Sequence, residues 1–225
     1  MAVELPVGVI AVAGMAFEAR IAAHAGTPVV CVGNTQKLTN VLLSAIGKDC
    51  RGLISFGVAG GLSPALKAGT CIVGSAIHVG TTRFMTDENW SRNLLRAIPG
   101  AVHGEIAGVA APVARLEEKR ALHFGTGAMA VDTESHVVAS VAAARRLPMA
   151  AVRVITDSAH YGLPQCALAA MRADGTIDIA AMIRSIMKVP GELPMLLRTA
   201  RDALVSGVAL HRSRRLLGAS FGLPD

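Results

Sequence analysis

Aromatic residues are scarce in this sequence, which has one Trp, one Tyr and five Phe among 225 residues. Proteins that bind single-stranded nucleic acid stack bases on aromatic side chains. Neither a basic strand with interleaved aromatic residues nor a recognition-helix pattern occurs here. The net charge of +6, from 22 Lys and Arg against 16 Asp and Glu, therefore does not indicate a nucleic-acid partner. With so few rings, the core must be filled by Ala, Val, Leu, Ile and Met.

Cysteine is sparse as well, and no two of the four cysteines form a CxxC pair. They stand far apart in the sequence, at Cys31, Cys50, Cys71 and Cys166. No cluster of Cys and His has the spacing of zinc ligands, so we expect no metal site. Isolated cysteines are typical of small buried side chains in a reducing compartment.

Long apolar runs are missing from the early part of the chain. The longest, Val7 to Phe17, is well short of the roughly 18–20 residues that span a bilayer. The first six residues contain an acid and no Lys or Arg, unlike the start of a secretory signal. We therefore expect a cytoplasmic protein, with peripheral contact at a membrane left open.

Short apolar runs alternate with helical patterns, in a chain that is 52% hydrophobic. The runs predict strands, and the periodic segments between them predict helices. Strands are predicted over residues 7–13, 28–32, 53–56, 71–77, 102–114 and 150–155, and helices over 15–25, 38–46 and about 132–146. Asp132 is predicted to cap the last of these helices. The alternation predicts an α/β fold, a three-layer αβα sandwich with a mixed, mostly parallel central sheet.

A helical segment follows the proline-rich stretch at residues 190–194. We expect one domain over residues 1–190 and a helical C-terminal extension over 191–225 that packs on it. The extension carries an apolar stripe at helical spacing, followed by arginines: Leu193, Leu197, Ala200, Leu204, Val208, Arg212, Arg214 and Arg215. Such a helix either contacts anionic lipid or packs on the core or a second subunit, and we favour packing.

Three acidic residues stand near predicted strand ends or at a helix start. Glu18 and Asp157 follow strands, where open α/β sheets bind ligands, and Glu134 begins a helix. Each has an ordinary alternative, because acids also cap helices and lie near their positive ends. The residues alone indicate only that the three acids share one rim of the sheet.

Gly57-Val-Ala-Gly-Gly61 has three glycines in five positions. The segment predicts a loop after the third strand, either a tight turn or a cradle of backbone N–H groups for a ligand. It fits neither the P-loop nor the GxGxxG spacing. Arg153, inside a strand, is expected to form a structural ion pair, and His136 is expected to lie on a helix face.

Four motifs occur in a specific order along residues 7 to 160. They are Gly14-Met-x-x-Glu18, Gly57-Val-Ala-Gly-Gly-Leu-x-x-x-Leu-x-x-Gly69, Val131-Asp-Thr-Glu-Ser135 and Val152-Arg-Val-Ile-Thr-Asp-Ser-Ala159. Together they resemble the purine nucleoside phosphorylase and methylthioadenosine/S-adenosylhomocysteine nucleosidase superfamily. Within it, the chain is most similar to the hopanoid-associated phosphorylases. That similarity rests on Glu134-Ser-His136, Leu163-Pro164, Met171-Arg-Ala-Asp-Gly175 and the extension from Leu193 to Gly218.

The resemblance implies an enzyme that cleaves the N-glycosidic bond of a purine nucleoside without a cofactor, with residues 1–190 as its catalytic domain. It implies that Asp157 protonates N7 of the leaving purine, that Glu134 binds the ribose hydroxyls and that Glu18 helps to activate water. The other substrate-binding residues that it implies are Met15, Val58, Ala59, Gly60, Pro112, Val113 and Thr133. A general acid must hold its proton near neutral pH, and burial raises the pKa of a carboxyl in that direction.

The chain departs from the family pattern at three positions. Thr133 and Thr70 replace a Met and an Asp, and Val58 stands where many relatives have a hydroxyl that helps to bind phosphate. The acceptor of the sugar therefore stays open between water and phosphate, which is a possible co-substrate. Arg20, Arg51 and Arg83 are the candidates for supplying charge to a phosphate.

The subgroup implies a lipid-linked substrate. This would be adenosylhopane, which releases adenine during hopanoid (bacteriohopanepolyol) biosynthesis. Relatives that assemble from several copies imply a homo-oligomer.

Two alternative functions are weighed against this interpretation. One is an enzyme for methylthioadenosine, S-adenosylhomocysteine or other soluble nucleosides; the other is a non-catalytic nucleotide-binding protein, which the three retained acids disfavour.

Overall fold

Strands and helices alternate along the computed structural model, which describes residues 8–32, 34–170, 176 and 178–224. The strands in that part of the chain are β1 (Val9–Ala13), β2 (Val29–Cys31), β3 (Gly52–Gly61), β4 (Cys71–Val79), β5 (Thr82–Met85), β6 (Val102–Gly108), β7 (Ala130–Asp132) and β8 (Met149–Asp157). The α-helices there are α1 (Ala16–Ala22), α2 (Thr35–Ala45), α3 (Glu88–Ala97), α4 (Leu116–Thr126), α5 (Ser135–Arg145), α6 (Gln165–Ala170), α7 (Ile179–Lys188) and α8 (Leu193–Leu216).

The strands form one mixed sheet. β1 pairs in parallel with β2 and β3, and β3 pairs in parallel with β8. From β8 the pairing continues to β4, β6 and β7 and returns to β3, so five strands close into a ring. Because β1, β3 and β8 are parallel, their carboxyl ends meet at one edge, where such sheets bind ligands. The predicted α/β fold with a mixed sheet is confirmed.

Apolar side chains on the two faces of the sheet build two cores. Along β1, Ile10 and Val12 join one core with α2 and α5, whereas Val9 and Ala11 join the other with α1, α3 and α8. This alternation is the two-residue period of a strand that is covered on both faces. Trp90, the one tryptophan, is fully buried in the second core and donates its ring N–H to a backbone carbonyl 2.8 Å away.

The prediction of a glycine loop at Gly57–Gly61 is wrong. These residues form the second half of β3, where they pair with β8 on one side and β7 on the other. None of the three glycines has a positive φ. The continuous apolar run that signals a buried strand ends at Phe56, so the sequence shows no strand beyond that residue.

The helix predicted from Asp132 begins later than expected. Asp132 ends β7, and its Oδ1 accepts hydrogen bonds from the backbone N–H groups of Glu134 (3.2 Å) and Ser135 (2.8 Å). The side chain therefore satisfies free N–H groups at the start of α5. Sequence patterns do not reveal β5, β7, α3, α4, α6 or α7. The segment Met171–Gly175 lies outside the described residues.

The C-terminal helix α8 packs on the sheet through its second half. Leu210 is fully buried there, and so is Arg214, whose guanidinium donates to the backbone carbonyls of Ala22, His24 and Gly218. Arg214 is therefore buried, whereas Arg212 and Arg215 on the same helix are exposed. Within the described ranges, no helix is both long and apolar enough to cross a membrane. The division of the chain at residue 190 stays a prediction.

Candidate active site

A cavity of about 440 Å³ lies at the edge of the sheet where β1, β3 and β8 end. The ten residues that the family resemblance assigns to a site all line it. Glu18, Glu134 and Asp157 thus share one cavity, although they come from α1, the start of α5 and the end of β8. Among the lining residues that were not assigned to a site are Val32, Leu38, Asp132, Thr156, Leu163 and Thr176.

Glu18 is 2% exposed, and backbone N–H groups surround its carboxylate. Its Oε2 accepts from Gly14 (2.9 Å) and Met15 (2.8 Å), and its Oε1 accepts from Val58 (2.7 Å). The carboxylate therefore links the ends of β1 and β3. Burial raises the pKa of Glu18 to about 7, against the opposing effect of Arg153. Glu18 therefore changes its protonation state near neutral pH.

Two glycines make room for the glutamates. A Cβ atom on Gly57 would lie 2.5 Å from Glu18 Oε1 and 2.6 Å from Arg153 Nη1, and one on Gly14 would lie 2.2 Å from Glu134 Oε1. These distances are shorter than ordinary Cβ contacts, so a side chain at either position would displace the neighbouring carboxylate or guanidinium group. At Gly57 the glycine therefore admits groups of this chain rather than a ligand.

Arg153 is a fully buried cation beneath the acids. Its Nε lies 2.6 Å from Asp132 Oδ2, and its Nη2 lies 3.3 Å from Glu134 Oε2. One guanidinium thus faces Asp132 and Glu134 directly and also acts on Glu18. Burial raises the pKa of Glu134 as well, and the charge of Asp132 adds to that effect. A cluster of three acids and one arginine favours retention of a proton near neutral pH.

Glu134 precedes the first turn of α5 and lines the cavity. Thr133 donates its hydroxyl to Glu134 Oε1 at 2.5 Å. The threonine that replaces the family's methionine therefore orients the neighbouring carboxylate and also lines the cavity itself. Because Arg153 contacts Oε2, each carboxylate oxygen of Glu134 has one hydrogen-bond partner among the described residues.

Asp157 ends β8, and its Oδ2 accepts a hydrogen bond from the ammonium group of Lys119. The Asp157 side chain is 13% exposed, at the cavity, whereas that of Lys119 is 1% exposed. Burial raises the pKa of Asp157, and the positive charge of Lys119 opposes this shift. The net direction is the one that a proton donor at neutral pH requires.

A family model described as the Phosphorylase superfamily matches residues 34–169, more than half of the sequence. The chain belongs to the Phosphorylase superfamily. This membership confirms the predicted superfamily and the prediction of an enzyme. The matched segment contains Glu134 and Asp157, whereas Glu18 lies before it. Among curated proteins, none matches the sequence.

Solved structures similar to this superfamily member include 5′-methylthioadenosine/S-adenosylhomocysteine nucleosidases. The Campylobacter jejuni protein is 15% identical, with a TM-score of 0.61, and the match covers 92% of this chain and 98% of that one. A putative nucleosidase from Francisella philomiragia is 14% identical, with a TM-score of 0.63 and coverage of 93% and 96%. Helicobacter pylori futalosine hydrolase is 18% identical, with a TM-score of 0.55 and coverage of 67% and 88%. At these identities the similarity shows a shared fold.

None of the three arginines proposed for phosphate lines the cavity. Arg20 is exposed and donates to the carbonyl of Ala16, and the exposed Arg51 donates to that of Pro224. Arg83 pairs with Glu105 on the far strands β5 and β6.

His136 does not line the cavity either. Within the described residues, no group of three or more His, Cys, Asp or Glu side chains is placed to hold a metal ion.

Lys119 is the residue at this site that sequence reasoning missed. It stands between Glu118 and Arg120, in a run of charged residues typical of a solvated helix face. Nothing in that pattern separates the one buried lysine from its exposed neighbours. The contact depends on where the chain after β8 passes over α4, and no local sequence signal encodes this.

Proposed function

We propose that the chain hydrolyses the N-glycosidic bond of an adenosine-type nucleoside and releases adenine. The observation that carries the proposal is that Asp157, Glu18 and Glu134 line one cavity. When this bond breaks, positive charge develops on the sugar and negative charge on the purine. The reaction therefore needs a proton donor at the base and negative charge at the sugar.

Asp157 is the proposed proton donor. As the bond between the sugar and N9 breaks, its electron pair passes to the purine, and a proton moves from the Asp157 carboxyl to N7. Burial, which raises the pKa of Asp157, supports this role because it favours the protonated form. A well-placed general acid contributes about 10²–10⁴-fold to the rate.

Glu18 is the proposed general base, which accepts a proton from water as the water oxygen bonds to the sugar carbon. Its pKa of about 7 suits proton transfer at neutral pH. Hydrolysis rather than phosphorolysis is supported by the N–H groups of Gly14, Met15 and Val58. These groups would suit an anion, but they already bind the Glu18 carboxylate.

The shortage of positive charge around Glu18 and Glu134 also supports water as the acceptor of the sugar. Arg153 faces Asp132 and Glu134 directly and also acts on Glu18, so its one positive charge is already shared among three acids. A phosphate beside Glu18 and Glu134 would add negative charge to a cluster that is already short of cations. Phosphate as a co-substrate is therefore the less favoured acceptor.

Glu134 is the proposed ligand of the ribose hydroxyls. An ionised carboxylate accepts hydrogen bonds from two neighbouring hydroxyls and stabilises positive charge on the ring. Thr133 and Arg153 hold the group in place, one on each oxygen. The cavity of about 440 Å³ falls within the range of roughly 300–1,000 Å³ of small-molecule sites.

We further propose that the nucleoside is lipid-linked, with adenosylhopane as the substrate, in hopanoid biosynthesis. The subgroup resemblance motivates this choice, and an exposed apolar surface supports it. We call this surface the apolar row, which comprises Ile179, Ile183, Met187, Leu193, Leu197, Leu204 and Val208. These side chains are 45–78% exposed. Along α7 and α8 they recur mostly four residues apart, so they line one face of each helix.

The apolar row is exposed rather than packed on the core of this chain. Packing on a second subunit, the other form of the favoured prediction, stays a prediction. In α7, no residue is buried. The row begins next to the cavity, because Thr176 lines the cavity and Asp178 caps the first turn of α7. A lipid held at the start of the row would therefore lie close to the cavity.

Basic residues on the same two helices support an anionic membrane as the proposed partner of the apolar row. Exposed Lys and Arg residues on α7 and α8 are Arg184, Lys188, Arg198, Arg201, Arg212 and Arg215. Between Ile179 and Leu216 the acids are Glu192 and Asp202. Exposed apolar side chains beside positive charge are typical of helices that lie in an anionic lipid surface. A second copy of the same face would bring like charges together, so the row favours lipid, while the homo-oligomer stays a prediction.

The test presents adenosylhopane in vesicles of phosphatidylcholine alone or mixed equally with phosphatidylglycerol. We expect the wild-type enzyme to float with the anionic vesicles and to release adenine from them. The triple variant Ile183→Ser, Met187→Ser and Leu197→Ser should bind and act there at least about tenfold more weakly, because it loses exposed apolar area. Phe124→Ser, which removes an 86% exposed side chain outside the row, is the matched control and should behave as wild type.

Activity on methylthioadenosine in solution separates the two parts of this proposal. The triple variant should retain it, since the row lies outside the cavity. Adenine release from methylthioadenosine but not from vesicle-borne adenosylhopane would favour the soluble-nucleoside alternative. Two results would contradict docking of the row on membranes. One is a triple variant that still floats with the anionic vesicles. The other is a triple variant that, without lipid, sediments as a smaller oligomer than the wild type, because the row would then be a subunit interface.

A further inference from the structure

Lys119 is a buried cation beside Asp157, the proposed proton donor. Its Nζ donates to Asp157 Oδ2 and to the backbone carbonyls of Ser158 and Tyr161, both at 3.1 Å. Three acceptors match the three N–H donors of an ammonium group. The segment that follows β8 is therefore tied to α4 through one fully satisfied lysine.

The two oxygens of Asp157 have different surroundings. Oδ2 is held by Lys119, whereas no donor within the described residues is bonded to Oδ1. Since Asp157 lines the cavity, the carboxyl is oriented with one oxygen fixed in the protein and the other available to a ligand. A general acid needs this arrangement, because its proton must be within hydrogen-bond reach of the accepting atom.

We propose that Lys119 is the positioning residue of the general acid: it fixes Asp157 through Oδ2 and balances the carboxylate that remains after proton transfer. This inference rests on the proposed role of Asp157. The proton passes from Oδ1 to N7, the electron pair of the broken bond goes to the purine, and Lys119 keeps all its protons. Without a nearby cation, the new carboxylate would be left buried and uncompensated, which is costly.

The charged groups around Asp157 determine in which direction its pKa moves when Lys119 is removed. These are Lys119 on α4, which lowers the pKa of the carboxyl, and Asp202 on α8, which raises it. Burial, the largest effect, also raises the pKa. Removal of Lys119 therefore raises the pKa of Asp157 further, and the acid stays protonated to higher pH.

Lys119→Met is the direct test, since methionine has a similar length and no charge. We expect kcat to fall by about 10²-fold. We also expect the alkaline limb of kcat/KM against pH to move up by about 1–3 pH units, the effect of one nearby opposite charge. Lys119→Arg, which keeps the charge, should retain the wild-type alkaline limb. An unmoved limb in Lys119→Met, or an equal shift in Lys119→Arg, would overturn the inference.

A structural role for Lys119 predicts a different pattern, namely lower stability and activity with no change in the pH profile. If Lys119→Met does not unfold cooperatively, Lys119→Ala offers a second test. Added ethylammonium should restore its activity, while 1-propanol, which is neutral, should not; no restoration by ethylammonium would contradict the inference. Asp157→Asn, assayed in parallel, separates the two proposals. Full activity in that variant would refute the role of Asp157 as the general acid, whereas a loss of activity there together with an unmoved limb in Lys119→Met would refute only the role of Lys119.

Discussion

Asp157→Asn is expected to lower kcat for adenine release by about 10²–10⁴-fold while the protein remains folded. Asparagine keeps the shape of the side chain and can still accept from Lys119, but it has no acidic proton to give to the purine. The measurement is adenine release at saturating nucleoside, with thermal unfolding recorded for the same preparation. Asp49→Asn, the same change at an exposed position, is the control and should match wild type.

Two outcomes would refute the acid assignment. One is adenine release by Asp157→Asn near the wild-type rate. The other is an equal loss with nucleosides whose purine is already protonated or activated as a leaving group, because such substrates need less help from an acid.

Glu18→Ala is expected to lower the rate of hydrolysis by a similar factor, about 10²–10⁴-fold. The variant is also expected to gain a binding site for small anions. The N–H groups of Gly14, Met15 and Val58 lose their carboxylate partner in this variant. Three unpaired N–H donors at a cavity wall attract small anions. Added formate should therefore restore part of the hydrolysis, and added phosphate should yield a sugar phosphate that the wild-type enzyme does not form.

The pH profile gives a second reading of Glu18. A base with a pKa of about 7 is ionised above that pH and protonated below it, so wild-type kcat/KM should fall as the pH drops through about 7. The residual activity of Glu18→Ala should lack this acidic limb. Glu88→Ala, at an exposed ion pair on α3, should leave both the rate and the limb unchanged. Full hydrolysis by Glu18→Ala, with no response to formate, would exclude Glu18 as the base.

The residues that line the cavity could be predicted where the sequence carries motifs. Glu18, Glu134 and Asp157 stand beside strand ends or a helix start, and parallel strands bring such positions to one edge of a sheet. The strands themselves are visible as apolar runs because most are covered on both faces. The chemical role of each acid came from the resemblance, since spacing alone does not tell a helix cap from a proton donor.

The unpredicted features depend on contacts between distant segments. Gly57 has the residue type of a turn, but it lies in a strand and leaves room for Glu18 and Arg153, which come from 39 residues before it and 96 after it. Lys119 and Arg214 read as surface charges, yet each is buried on carbonyls of another segment. In the α8 part of the apolar row the helical spacing is visible in the sequence, but the sequence does not show that these side chains are exposed. Local patterns give the face of a helix, whereas its neighbour is set by the tertiary fold.

The central claim is that water, activated at Glu18, replaces adenine on the sugar while Asp157 protonates the purine. The most direct test uses the wild-type enzyme and an adenosine-type nucleoside in ¹⁸O-labelled water without phosphate. The products are then analysed by mass spectrometry. We expect free adenine and a sugar with one ¹⁸O atom at its anomeric carbon after a single turnover, with neither product changed by added phosphate. Adenine release that requires phosphate, or a sugar without the label, would contradict this account.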